Sequence, residues 1–299
     1  MKQLKAIYNK PNPPWADKAV EANKIRIARA FGKKSLPELA SPVEGTKFVE
    51  YGCGHYGCVY PTQQMGKVLK ITSDPTEVAL VKFILKNGME EGYLDGLVRY
   101  YKILNLKTRY RKRDVYAILR EEAFDVGIMT KDRLYREQSR KISAFLWFAR
   151  HVRDMYVKHG NKPGFNDKVA ASYRRWKDAV EYNNNSFSIG GSEFRYIDMY
   201  SFRSSWKMPS WIKSSDRAGF ALVGALAVAE DIAQTPDIVN IGETLMWFLC
   251  KGKLLADVHL NNIGKVIREE NFMEPILAIT DPGHAVDVVP LYSYVCRED

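Results

Sequence analysis

Lys67-Val68-Leu69-Lys70-Ile71-Thr72-Ser73-Asp74-Pro75-Thr76-Glu77 is the stretch on which the reading of the chain turns. Residues 67–72 are rich in apolar and β-branched types, which predicts a strand. Ser73-Asp74-Pro75 is a turn that starts a helix. Val78, Ala79, Leu80, Val81, Phe83 and Ile84 then extend a largely apolar helical stretch over 76–86. A lysine on such a strand ordinarily points to solvent. Lys70, however, follows Val59 by eleven residues, the distance at which a strand paired with the preceding segment returns beneath it. Glu77 is then the natural partner to orient Lys70. The plainer reading of Glu77 is a first-turn acid that suits the helix dipole, and Glu90 and Glu91 are rival partners.

Immediately upstream, Gly52-Cys53-Gly54-His55-Tyr56-Gly57-Cys58-Val59 spaces three glycines as a phosphate-covering loop does. Glycine lets backbone amides approach phosphate oxygens with no Cβ in the way, and Val59 is placed to roof an adenine ring. With such a loop above it, the Lys70 ammonium would neutralise the α- and β-phosphates of a nucleotide. A plain glycine hairpin stands as an equal reading. A dinucleotide fold is disfavoured because a strand, not a long helix, follows the loop. Cys53, His55 and Cys58 lack the second ligand pair that a zinc site needs.

Two later segments carry acids in apolar frames. Leu255-Ala256-Asp257-Val258-His259-Leu260-Asn261-Asn262-Ile263-Gly264 sets Asp257 and Asn262 five residues apart. Ala278-Ile279-Thr280-Asp281-Pro282-Gly283 ends a short β-type run with an acid and a Pro-Gly turn. Phosphoryl transfer needs little covalent chemistry from protein: a carboxylate to accept the nucleophile's proton, and an amide plus a second carboxylate to hold magnesium against the phosphates. Asp257, Asn262 and Asp281 supply that set. Taken singly, each also reads as a surface turn. All four segments in this order are harder to obtain by accident.

The rest of the chain bounds the answer. Its 299 residues allow one large domain or two small ones. With 46% apolar and 27% charged residues it is neither mostly disordered nor fibrous. A net charge of +10 favours acidic partners: nucleotides, nucleic acid or an acidic protein face. No apolar run approaches the roughly 20 residues of a bilayer crossing, and residues 1–10 lack the pattern of a secretory signal, so no membrane partner is expected and a cytoplasmic location is. Cys53, Cys58, Cys250 and Cys296 are irregularly spaced, which reads as free thiols in a reducing compartment. Residues 1–45 read as a basic helical extension with a helix over 16–31. Residues 46–124 read as a β-rich lobe with strands over 47–51, 58–61, 67–72, 97–106 and 115–120, and residues 125–299 as a helical lobe with loops over 183–191 and 201–215. Trp147, Phe148, Trp206, Trp211, Trp247 and Phe248 read as packing.

Glycine loop, strand lysine, helix glutamate, Asp…Asn loop and Asp-Pro-Gly, in that order, resemble the protein-kinase-like superfamily over 47–120 and 245–287. The resemblance implies an α+β bilobal fold, with a small β-rich N-lobe and a larger helical C-lobe, and ATP and Mg2+ as cofactors. By it Gly52, Gly54, Gly57 and Val59 would cover the nucleotide, Lys70 would contact its phosphates and Glu77 would orient Lys70. A hinge over 120–122, including Glu121, would meet adenine. Asp257 would be the catalytic base, with Asn262 and Asp281 as magnesium ligands.

The departures are informative. Leu255-Ala256 stand where the family has His-Arg. His259 replaces its lysine, as in antibiotic and choline kinases, and would contact the γ-phosphate or place Asp257; a packed loop histidine is the rival reading. Sixteen residues follow Gly283, so the helices that usually come after this motif are expected to be missing and the acceptor site to lie earlier. The combination is similar to the early host-shutoff Ser/Thr kinases of short-tailed lytic phages, which implies phosphorylation of host proteins in the host cytoplasm. A small-molecule kinase of aminoglycoside or choline type is the alternative. A third class is a non-catalytic protein of the same fold that grips a host enzyme or nucleic acid. Its contacts would be Arg109, Arg111, Lys112 and Arg113 with Tyr110 and Tyr116, and Arg174, Arg175 and Trp176. Such clusters also read as ordinary solvated faces.

Overall fold

The computed structural model describes residues 14–37, 56–87, 94–125, 133–182, 186–189, 192–195, 213–268, 275–283 and 285–291. The architecture is α+β, in two units: Met1–Met89 with Val98–Ala123, and Glu90–Leu97 with Phe124–Asp299.

In the first unit, β1 (Gly57–Pro61), β2 (Lys67–Thr72), β3 (Tyr100–Tyr110) and β4 (Arg113–Glu121) form an antiparallel sheet in the order β1-β2-β4-β3. The register sets Lys70 opposite Val59 of β1 and Ile118 of β4, so these three residues share a face. The other face carries Cys58, Tyr60, Leu69, Ile71, Ala117 and Leu119. It closes a core against α1 (Pro14–Phe31) through Ala16, Ala19, Val20, Ile27 and Phe31, residues at the three-to-four spacing of one helix face. Gly32, at φ 94°, ends α1 by donating its N–H to the Ala28 carbonyl. The Tyr60 hydroxyl donates to Asp17 at 2.6 Å, tying α1 to β1, and burial with this bond pushes the phenol above its usual pKa. The basic helical extension is thus a layer of the first unit, set on the sheet face away from Lys70.

The 97–106 strand reading needs correction: Leu97 bridges to Ile279 in the second unit, and the strand begins at Tyr100. The 47–51 strand lies outside the described residues.

The second unit is mainly helical, with α3 (Arg133–His159), α4 (Phe165–Tyr182), α5 (Ser214–Ala233) and α6 (Val239–Cys250). Every residue of α5 from 218 to 229 is buried, the signature of a central helix, and α5 contacts α3, α4 and α6. A Cβ at Gly224 would lie 2.3 Å from the Phe148 ring, so glycine sets how closely that side chain seats on α5. After α6 come β8 (Lys253–Leu255), β9 (Ile263–Val266), β10 (Ile276–Ile279) and β11 (Ala285–Asp287). β8 pairs with β11, and β9 pairs with both β10 and the two-residue β5 (Phe124–Asp125).

Residues 183–191, read as a loop, contain β6 (Ser186–Ile189), which pairs with β7 (Ser192–Arg195). The alternation in Ser-Phe-Ser-Ile and the Gly190-Gly191 dipeptide that follows are the hairpin signal. Ser214 and Ser215, read as loop, open α5, while 201–212 lie outside the described residues. The thiol expectation also fails, because Cys58 and Cys250 are both disulfide-bonded. Pairing is decided by spatial separation, which spacing along the chain does not report, and a reducing compartment loses that support. No helix among the described residues is long and apolar enough to cross a membrane.

Candidate active site

The first unit fixes Lys70 and Glu77 through a helix cap. Asp74 is the N-cap of α2 (Pro75–Asn87): its Oδ1 accepts from Thr76 N–H at 2.9 Å and from the Thr76 hydroxyl at 2.8 Å. Pro75 fills the first helical position, which places Glu77 third. A glutamate there commonly turns back to the N-cap amide. Here the Thr72 hydroxyl accepts that amide at 3.1 Å, and Glu77 instead meets the Lys70 ammonium at 2.6 Å. Both side chains are buried, 7% exposed for Lys70 and 3% for Glu77. Glu90 and Glu91, the rival partners, lie outside the described residues.

Gly52 and Gly54 also lie outside the described residues. Gly57 opens β1 opposite Thr72, and a Cβ on it would meet the Ile71 carbonyl at 2.7 Å, so the sheet itself demands glycine there. Val59 is half-buried on the Lys70 face. At the end of β4, the Glu121 N–H donates to the Arg99 carbonyl at 2.7 Å, while Glu121 Oε2 accepts the Arg99 N–H at 3.0 Å. Glu122 donates its N–H to Gly66 O at 2.9 Å. Both of those amide donors serve the unit's own backbone, so an adenine at this stretch would have to use other groups.

In the second unit two loops run between the same pairs of strand ends. Residues 256–262 leave β8 beside the Leu255↔Ala285 pair and enter β9 beside the Ile263↔Ile279 pair. Residues 280–284 connect the partners of those same two pairs, so strand pairing lays the loops side by side. The Asn262 amide donates to the Asp257 carbonyl at 2.8 Å, and the Asn262 carbonyl accepts from Thr280 N–H at 2.7 Å. Asn262 therefore bridges Asp257 to the residue preceding Asp281. Gly283 sits at φ 56°, where a Cβ would come within 2.5 Å of the Asp257 Cβ. No larger residue fits that turn while Asp257 keeps its place.

His259 lies beside Asp257, its Nε2 3.9 Å from Oδ1, near but beyond hydrogen-bond reach. On the same carboxylate oxygen, Arg150 of α3 brings a guanidinium nitrogen to 3.5 Å. Nothing in the sequence flagged Arg150, since helix periodicity does not say which distant loop a helix face meets.

The chemistry of Asn262 and Asp281 fits magnesium. With its Nδ2 donating, Asn262 keeps Oδ1 as an acceptor, and the Asp281 carboxylate is steadied by Gly283 N–H at 3.2 Å. Among the described residues no group of three or more His, Cys, Asp and Glu is placed to hold a metal alone. Magnesium usually takes only one or two protein carboxylates and fills the rest of its sphere with phosphate and water.

The loops rest on a second feature the motifs did not reveal. Arg268, its side chain 1% exposed, donates to the Asp95 carbonyl at 3.0 Å, Asp95 Oδ1 at 2.8 Å and the Leu97 carbonyl at 2.9 Å. It pins residues 95–97 where the Gly96 carbonyl accepts from Ile279 N–H at 2.7 Å, two residues before Asp281. Arg268→Ala is expected to lower unfolding free energy by about 2 to 3 kcal/mol, the scale of lost hydrogen bonds to a charged group. The half-exposed Asp95 regains water, which keeps the loss below that of a fully buried pair. Urea denaturation checks this, and an unchanged midpoint would remove the clamp.

No family model, curated protein or solved structure matches the chain.

Proposed function

We propose that this chain is an ATP- and magnesium-dependent phosphotransferase of protein-kinase-like fold that acts on protein Ser/Thr hydroxyls. The buried Lys70–Glu77 pair carries the reading. Removing two charges from water is expensive, and well-packed apolar residues of the same size usually serve stability as well or better. Such a pair is best accounted for by a ligand that needs an oriented ammonium, and a nucleotide's phosphates are that ligand. The Asp257–Asn262–Asp281 loops supply the complementary set: a carboxylate, an amide oxygen and a second carboxylate linked through one short backbone network.

In this reading Lys70, oriented by Glu77, would contact phosphate oxygens. Asp257 would take the proton from the acceptor hydroxyl as it attacks, and Asn262 and Asp281 would offer oxygens to the metal. Bound magnesium supplies neutralisation of the charge that spreads over the transferred phosphoryl. His259, beside Asp257, would contact the γ-phosphate or place Asp257. The resemblance to host-shutoff kinases makes host proteins the acceptors.

Calorimetric titration of the full chain with ATP and magnesium tests the reading. Wild type is expected to bind, and Asp281→Asn to bind at least about tenfold more weakly, because one carboxylate charge on the metal is lost. Absence of heat with wild type would overturn every phosphotransfer reading. Label from radioactive ATP that enters a soluble metabolite of a lysate, not its proteins, would move the acceptor to the small-molecule class.

A further inference from the structure

The β3–β4 hairpin closes through Arg111 and Lys112, between the paired residues Tyr110 and Arg113. Their φ angles are 48° and 65°, so both central residues are left-handed, as a type I′ turn requires. Asn-Gly is the comfortable occupant of that turn; arginine and lysine carry a Cβ that the conformation disfavours. Lys107, at φ 55°, is a third left-handed residue of the same hairpin, within the irregular stretch between Asn105 and Arg109. Strain is thus concentrated where this sequence places cations.

Those cations are numerous and organised. Lys107, Arg109, Arg111, Lys112 and Arg113 are all exposed, and Asp114, the acid of the tip, pairs with Arg109 at 3.1 Å. Arg111 lies over the Tyr110 ring at 5.2 Å, and Arg113 over the Tyr56 ring at 4.8 Å. Trp15 of α1 stacks on Tyr110 with centroids 4.5 Å apart, which anchors the platform to the core. Stacked guanidiniums lose less freedom on binding and keep their N–H edges for oxygen acceptors.

We propose that this hairpin tip is a binding site for the phosphate backbone of nucleic acid, separate from the proposed nucleotide chemistry. An acidic protein face is the less suitable partner. Protein interfaces draw their strength from buried apolar anchors, and among the described residues the exposed large hydrophobics, Ile25, Met65, Leu85, Tyr101, Val157, Leu260 and Ile267, include none from 107 to 114. Closely spaced cations without an apolar centre match a regular polyanion. The tyrosine rings are already engaged, so the site contacts backbone without stacking bases, and little sequence preference is expected.

Two double variants test this with different effects on strain and the same effect on charge. Arg111→Asn with Lys112→Gly relieves the turn; Arg111→Gln with Lys112→Gln keeps it strained. Both are expected to weaken binding of a short fluorescein-labelled single-stranded RNA and of a DNA duplex by about tenfold or more at low salt. The slope of log affinity against log salt should become shallower by about 1.4 for the single strand and about 1.8 for the duplex. Only the Asn-Gly variant is expected to raise the melting temperature. Unchanged affinity and slope in either variant would overturn the site. So would poly-glutamate of equal charge competing as well as nucleic acid, which would assign the tip to acidic proteins. None of these readouts depends on ATP binding, so the site stands or falls apart from the phosphotransferase reading.

Discussion

Asp257→Ala is expected to lower the rate of phosphoryl transfer by on the order of 10² to 10⁴, the usual contribution of a positioned general base. The variant is unusually clean to interpret. Asn262 is tied to the main-chain carbonyl of residue 257, not to its carboxylate, so the loop keeps its principal restraint when the side chain goes. Alanine keeps the Cβ that packs beside Gly283, so the change introduces no clash there. The partners of the carboxylate, Arg150 and His259, are 48% and 33% exposed, and half-exposed ion pairs contribute little to stability. The melting temperature and the affinity for ATP with magnesium should therefore stay near wild type while turnover collapses. Initial rates with radiolabelled ATP and a protein acceptor check the loss. Full activity in this variant would remove Asp257 as the base, and a parallel loss of ATP affinity would shift its role to the metal.

The local elements around the site were legible because local rules decide them. The strand over 67–72 and the helix start at the Ser73-Asp74-Pro75 turn follow from β-branched patterning and turn chemistry, while the cap at Asp74 is seen in the structure. Once that cap is placed, the position of Glu77 is fixed to the residue. The choice between Lys70 and the N-cap amide as its partner was not legible, since it rests on the Thr72 hydroxyl reaching Asp74 N–H. Sequence likewise placed Asp257, Asn262 and Asp281 on loops but could not show that two strand pairs, Leu255↔Ala285 and Ile263↔Ile279, lay those loops side by side. Arg268 and residues 95–97 stayed hidden for the same reason. Their link spans more than 170 positions of chain, and Leu97, read as the first residue of the 97–106 strand, bridges to Ile279 instead. That Cys58 and Cys250 are disulfide-bonded was equally hidden, because irregular spacing does not report which thiols meet. Interactions within one turn or hairpin were readable, and those closing long loops were not.

A cycle of substitutions at Lys70 and Glu77 separates function from stability most sharply. Glu77→Leu alone leaves a lysine buried without its carboxylate, and Lys70→Met alone leaves the converse. Each is expected to reduce unfolding free energy by roughly 3 to 5 kcal/mol, the scale for breaking a buried pair from one side. Combining Lys70→Met with Glu77→Leu removes both buried charges of the pair together and should restore a large part of that loss, since matched apolar pairs replace buried ion pairs at little cost. Nucleotide affinity should follow a different pattern. It is expected to fall at least about tenfold in both variants that lack the ammonium, and to stay low in the double variant although its fold is stable, because a charge-assisted contact to phosphate has no apolar substitute. Urea denaturation and calorimetry on the same three proteins give both quantities. A stable double variant that binds ATP with magnesium as wild type does would make the pair purely architectural and would withdraw the observation on which the phosphotransferase reading rests.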